Sequence, residues 1–211
     1  STTATGAAGL PLILLLFFLS RWSGGLVARY GSKAPLIVGP LIAALGFGLC
    51  ALPGVAAGYW QGFFPAFAVL GFGMAISVAP LTTVVMSAVP EDRVGAASGI
   101  NNAIARVASV LAVAILGIVM VKLFSSSLQR TLAGALLPPG IAEYVQANEI
   151  KLAGLDLPSS LDARTAALLR ASISHAFVFA FRIVMLICAA LCVASAAVAS
   201  LMIPANSGRA T

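Results

Sequence analysis

Asn101, Asn102 and Arg106 stand out in this 211-residue chain because they put strongly polar groups inside an apolar stretch. The stretch is Val89 to Gly117, VPEDRVGAASGINNAIARVASVLAVAILG, and it opens with the charged turn Pro90-Glu91-Asp92-Arg93. Gly95, Gly99, Asn102, Arg106, Val113 and Gly117 recur at helical spacing and so share one small, polar face. The other faces are mostly Ala, Val, Ile and Leu. A helix surrounded only by lipid has no use for an arginine, which costs several kcal/mol or more at mid-membrane. The expectation is therefore that Asn101, Asn102 and Arg106 face a bundle interior or a wet cavity. An arginine that caps carbonyls or pairs across helices leaves the same pattern, so a structural role stays open beside a transport role.

Elsewhere the chemistry is sparse. Cys50, Cys188 and Cys192 all sit inside apolar runs. Cys188 and Cys192 are four apart on a helix, the spacing of a metal pair. The chain holds a single histidine, His175, and no carboxylate lies near the pair in sequence, so small core residues are the better reading. His175 falls at a helix start, where an interfacial polar residue explains it better than a proton relay. No nucleophile is paired with a base, and Glu143 and Glu149 have no recognisable ligand partners. A membrane-embedded enzyme would need paired acids, clustered histidines or a Ser/Lys dyad at membrane depth, so an enzyme is not expected.

The elements that position these residues follow from composition. Hydrophobic residues make up 61% of the chain and charged residues 9%, against roughly 25% charged in an ordinary soluble domain. The mean hydropathy is +1.07, too apolar for a water-facing surface. The net charge of +6 does not indicate nucleic acid, because the basic residues are scattered and lack an aromatic platform. In a membrane protein they mark helix ends and the cytoplasmic face. The expected fold class is an all-α polytopic membrane protein with five transmembrane helices, its first partner the lipid bilayer.

Those helices are predicted at about 5–28, 34–52, 61–88, 95–122 and 175–203. Pro11 bends the first. Gly24, Arg29, Gly31 and Lys33 form a short basic turn after it, with Gly31 permitting a tight reversal. Gly39, Gly46 and Gly48 let the second helix approach a neighbour closely. Tyr59 and Trp60 form an interfacial aromatic belt. Pro80 kinks the third helix, and its hydroxyls (Ser77, Thr82, Thr83, Ser87) are expected to bond back to their own helix rather than line a path.

Residues 123–174 differ in kind, holding all the acids except Glu91 and Asp92. Pro138-Pro139-Gly140 breaks them. Ile141–Leu152 and Ser160–Ala171 read as short amphipathic helices, the second with Ser159 and Asp162 in capping-box spacing. Arg29, Lys33 and Arg93 lie in turns on one side, while Pro53 to Tyr59 carries no charge. That puts this loop outside the cell and residues 204–211 in a cytoplasmic tail. The chain begins at Ser1 with no methionine or signal-peptide n-region and enters a hydrophobic run at once, so it reads as the C-terminal portion of a longer protein.

Gly24-x-Leu26-x-Ala28-Arg29-x-Gly31-x-Lys33 resembles the loop G-x-L-a-D-R-x-G-r-k of the major facilitator superfamily, with Ala28 in place of the aspartate and Ser32 in place of a basic residue. Pro90-x-x-Arg93-x-Gly95-x-Ala97-Ser98-Gly99-x-Asn101-Asn102, followed by Arg106, is similar to the second-last helix of its 14-helix drug:proton antiporters. The long loop before the last helix also fits that type.

The resemblance implies part of the C-terminal helical bundle of that fold, and alternating access in which two bundles rock about a central site. It assigns Gly24, Arg29, Gly31 and Lys33 to a gating loop. It implies proton-coupled export of drugs or toxic amphipathic compounds from a bacterial inner membrane. No cofactor is implied beyond the proton gradient. The implied partners are a small-molecule substrate and the missing N-terminal portion of the same protein, with no nucleic acid. None of the six acids lies inside a predicted span, so the coupling carboxylate is expected in that other portion. Uptake of a sugar or organic acid, and a non-transporting scaffold, are the rival expectations.

Overall fold

The computed structural model describes residues 13–19, 25, 31–55, 57–133, 140–155, 157–158 and 161–203. All regular structure among them is helical. Residues 13–19 form α1, and the rest of the predicted 5–28 span lies outside the described residues. The other helices are α2 (Lys33–Cys50), α3 (Phe64–Ser87), α4 (Val94–Leu132), α5 (Ile141–Ala147) and α6 (Ala163–Met202). A π turn, Tyr59–Phe63, leads into α3, and a 3-10 turn, Glu91–Arg93, leads into α4. Among the described residues four helical segments are long and apolar enough to cross a membrane: Lys33–Cys50, Tyr59–Ser87, Glu91–Leu132 and Ala163–Met202. The protein is an all-α multi-pass membrane protein.

The chain divides into two compact units, one of Ser1–Ser109 with Met185–Thr211 and one of Val110–Val184. In the first, α2 and α3 pack antiparallel along small residues. Leu36, Gly39, Ala43, Gly46 and Cys50 are buried on α2, and Ala66, Leu70, Ala75, Ile76 and Pro80 on α3. The approach is a backbone one. A Cβ at Gly46 would lie 2.7 Å from the Leu70 Cα, and one at Gly73 would lie 2.8 Å from the Gly39 carbonyl oxygen. Gly48, on the other side of the same helix, meets nothing within 4 Å. Only two of the three expected close-packing glycines of α2 therefore touch a neighbour here. Ser77 Oγ donates to the Gly73 carbonyl at 2.8 Å and Ser87 Oγ to that of Val84 at 3.2 Å, so both hydroxyls bond back to their own helix.

The second unit has its own core. Phe124 and Leu128 of α4, Val145 of α5, Leu155, and Leu169, Ile173, Ala176 and Ala180 of α6 are all buried together. The four α6 residues recur at i, i+4, i+7 and i+11, which is one helical face. Here the helices differ from the predicted segments. α4 runs on past Lys122 to Leu132, and α6 begins at Ala163 rather than at His175. At 39 and 40 residues they measure about 58–60 Å at 1.5 Å per residue, roughly twice a bilayer core. A charged residue can mark a membrane edge, but it does not stop a helix. Pro is absent from both stretches and Gly from α6, so nothing breaks them.

The short helix predicted over 160–171 is therefore the start of α6. Its cap is Asp162, whose Oδ2 accepts the Thr165 backbone N–H at 3.0 Å; Ser159 lies outside the described residues. The helix predicted over 141–152 is also shorter. α5 ends at Ala147, Asn148 departs from helical geometry (φ −112, ψ 11) while its Nδ2 donates to the Tyr144 carbonyl at 2.9 Å, and a 3-10 turn follows over Glu149–Gly154. Within that turn Leu152 adopts φ 51, a strained value for a leucine, and its side chain packs against the Phe124–Leu169 core.

Candidate functional site

The turn at Pro90 sets the geometry of the polar helix. Pro90 is extended, φ −59 and ψ 154, and the Arg93 N–H reaches back to its carbonyl at 2.9 Å, which closes the 3-10 turn that joins α3 to α4. Glu91, Asp92 and Arg93 are all exposed, and Arg93 Nε lies 3.9 Å from Asp92 Oδ2. Two apolar helices joined by such a charged turn put that turn at a membrane surface.

The trio on α4 does not share one environment. Asn101 is half-buried and lines a groove between the last turns of α3 and the first turns of α4. The groove has a volume of about 540 Å³ and is walled by Val84, Val85, Ala88, Ala97, Ile100 and Ile104, with Arg93 at its charged end. Asn102 and Arg106 are exposed and line no part of it. Helix geometry accounts for the split. Asn102 and Arg106 are four residues apart and nearly eclipsed, whereas Asn101 is turned by about 100° from Asn102.

The Arg106 guanidinium meets no carboxylate among the described residues. Its backbone carbonyl accepts the Ser109 hydroxyl at 2.8 Å. Cβ atoms built at Gly95, Gly99 and Gly117 meet nothing within 4 Å among the described residues. Only Phe124 and Leu128 of the whole of α4 are buried.

Of the predicted gating turn, Gly31 has φ 72, a left-handed value that favours glycine, and Lys33 opens α2. Gly24 and Arg29 lie outside the described residues. The groove walls are the residues that motif reading passed over. Their types are ordinary for a lipid-facing surface, and the signal available was the run of Ala and Val at helical spacing on both sides of the Pro90 turn.

Residues 1–113 match the sequence profile of the Major Facilitator Superfamily. The chain belongs to the major facilitator superfamily. Its curated relatives within that superfamily include the multidrug resistance protein Stp of Mycobacterium tuberculosis, 32% identical over 145 residues, which are 65% of this chain and 25% of Stp. The methyl viologen resistance protein SmvA of Salmonella typhimurium is 26% identical over 176 residues, 82% of this chain and 34% of SmvA. The tetracenomycin C resistance and export protein of Streptomyces glaucescens is 30% identical over 121 residues, 57% of this chain and 22% of that protein. The chain thus spans between about a fifth and a third of the length of these superfamily relatives. The superfamily profile ends before the buried core of the Val110–Val184 unit begins at Phe124, while the SmvA match covers most of the chain.

Proposed function

We propose that this chain is the C-terminal part of a proton-coupled exporter of drugs or toxic amphipathic compounds, working by alternating access in a bacterial inner membrane. The reading rests chiefly on one observation: a membrane-length apolar helix carries exposed Asn102 and Arg106 close to Gly95 and Gly99, on which none of the described residues packs. A face of that kind suits either a neighbouring bundle or a water-filled path. The names of the relatives, which are resistance and export proteins, support drugs as the cargo.

In this proposal Asn102 and Arg106 face the centre of the assembled bundle, and Asn101 contributes from the adjoining groove. Gly24, Arg29, Gly31 and Lys33 act at the gating turn, away from substrate. The substrate is a small amphipathic molecule, and the proton-binding carboxylate belongs to the N-terminal portion of the full protein. All six acids of this chain lie in the Pro90 turn or between residues 143 and 162 of the sequence.

The test is proton release driven by drug in inverted membrane vesicles carrying the full-length protein. Vesicles energised by respiration should lose part of their proton gradient when ethidium or methyl viologen is added, and should accumulate the drug. Drug-independent gradients, or movement of a sugar or organic acid in place of drugs, would remove the export assignment.

A further inference from the structure

The groove beside the Pro90 turn has the shape and chemistry of a lipid site. From Ala96 to Ile104 it follows about 12 Å of helix, most of the ~15 Å depth of one leaflet's hydrocarbon and so a length that an acyl chain can fill. Its walls on both helices are Val, Ala and Ile, with Asn101 the one uncharged polar side chain. Its charged end is Arg93, at the turn that must lie at the membrane surface. Arg93 is 76% exposed and touches Asp92 only at 3.9 Å through Nε, so most of its five N–H donors remain available to a phosphate.

Glu91 and Asp92 flank it but line no part of the groove. Lys33, at the start of α2, lies at the same end of the antiparallel α2–α3 pair as the close of α3, and adds a second basic group on that membrane face. Basic residues next to a membrane helix attract anionic headgroups.

We propose that this groove binds one anionic phospholipid of the adjoining leaflet, with an acyl chain along Val85, Ala97 and Ile104 and the phosphate on Arg93. The lipid chain then fills space between α3 and α4 that the described side chains leave open. The site is separate from the Asn102–Arg106 face, so its occupancy is measurable without any transport assay.

The test is native mass spectrometry of the full-length protein in detergent with phosphatidylglycerol and phosphatidylethanolamine supplied in equal amounts. The wild type should retain phosphatidylglycerol in preference by about fivefold, the effect of one interfacial basic residue. Ala97→Trp, which fills the groove, should lose the bound lipid, while Ile115→Trp, on the same helix but outside the groove, should keep it. Arg93→Gln should keep a lipid but lose the preference, and Arg93→Lys should restore most of it. Equal retention of the two lipids by the wild type, or unchanged retention by Ala97→Trp in a protein that folds as Ile115→Trp does, overturns the proposal. Displacement by laurate as effective as by phosphatidylglycerol overturns the assignment to a phospholipid. Neither result depends on whether the protein exports drugs.

Discussion

Gly46 packs directly on the backbone of Leu70: a Cβ there would stand 2.7 Å from both the Leu70 Cα and its nitrogen. Backbone atoms cannot swing aside as a flexible side chain can, so any residue larger than glycine forces α2 and α3 apart. Gly46→Val should destabilise the pair by about 1–3 kcal/mol, the usual range for overpacking. Gly48→Val, two residues along and facing open space, should cost well under half of that. Thermal unfolding of the detergent-solubilised full-length protein, followed for both variants, compares them. Equal destabilisation would mean that the close approach is not what holds these helices together.

Arg106 and Asn101 lie one and a half turns apart yet meet different surroundings, so their substitutions should separate. Arg106→Ala should reduce drug export to background while leaving membrane insertion intact, because its face is the one the export proposal puts at the bundle centre. Asn101→Ala removes one half-buried polar group beside an apolar groove, and should leave at least about a third of the export rate, a change within 1 kcal/mol. Initial rates of ethidium efflux, normalised to protein in the membrane fraction, decide between them. Normal export by Arg106→Ala would end the transport role of that residue.

Membrane class and the four long apolar helices among the described residues were legible in the sequence because lipid imposes one simple rule, long apolar runs with internally paired backbones. The extents of α4 and α6 were not. Lys122 and His175 mark changes in polarity, and polarity is what a hydropathy reading senses, but helix continuity depends on breakers, and none separates Ala163 from Met202. The grouping of Asn101 with Asn102 and Arg106 came from proximity along the chain. A 100° turn per residue was enough to put Asn101 into the groove and its neighbour outside it. The α2–α3 contact was partly legible, since Gly39 and Gly46 announce a close approach, while the identity of the partner residues, Gly73 and Leu70, needed the fold.

Phe124, Leu128 and Leu169 are fully buried in the Val110–Val184 unit, where the two long helices meet the short ones. Leu169→Ala should weaken that unit by about 2–5 kcal/mol, the range for a leucine truncated in a packed core. The loss should be local. Hydrogen exchange and limited proteolysis within 141–155 should accelerate, while the α2–α3 pair keeps its protection. Uniform loss of protection along the whole chain would show that the unit has no stability of its own.

Asp162 caps α6, and Thr165, through its side-chain hydroxyl first and its backbone N–H second, holds the Asp162 carboxyl below the usual carboxylate range. The folded-state pKa is lowered, so the cap's contribution is fully present above the unfolded carboxylate pKa and fades as pH falls through the lower folded value. Neutral and mildly acidic conditions should therefore leave the first turn of α6 closed, and strongly acidic conditions should fray it. Asp162→Ala should fray it at every pH and remove the pH dependence. Asp162→Asn, whose amide oxygen also caps, should keep the turn closed without titrating. Amide exchange at Thr165, corrected for intrinsic pH effects, reads all three proteins. Protection in wild type that does not change across the carboxylate range would show that the carboxylate is not what starts this helix.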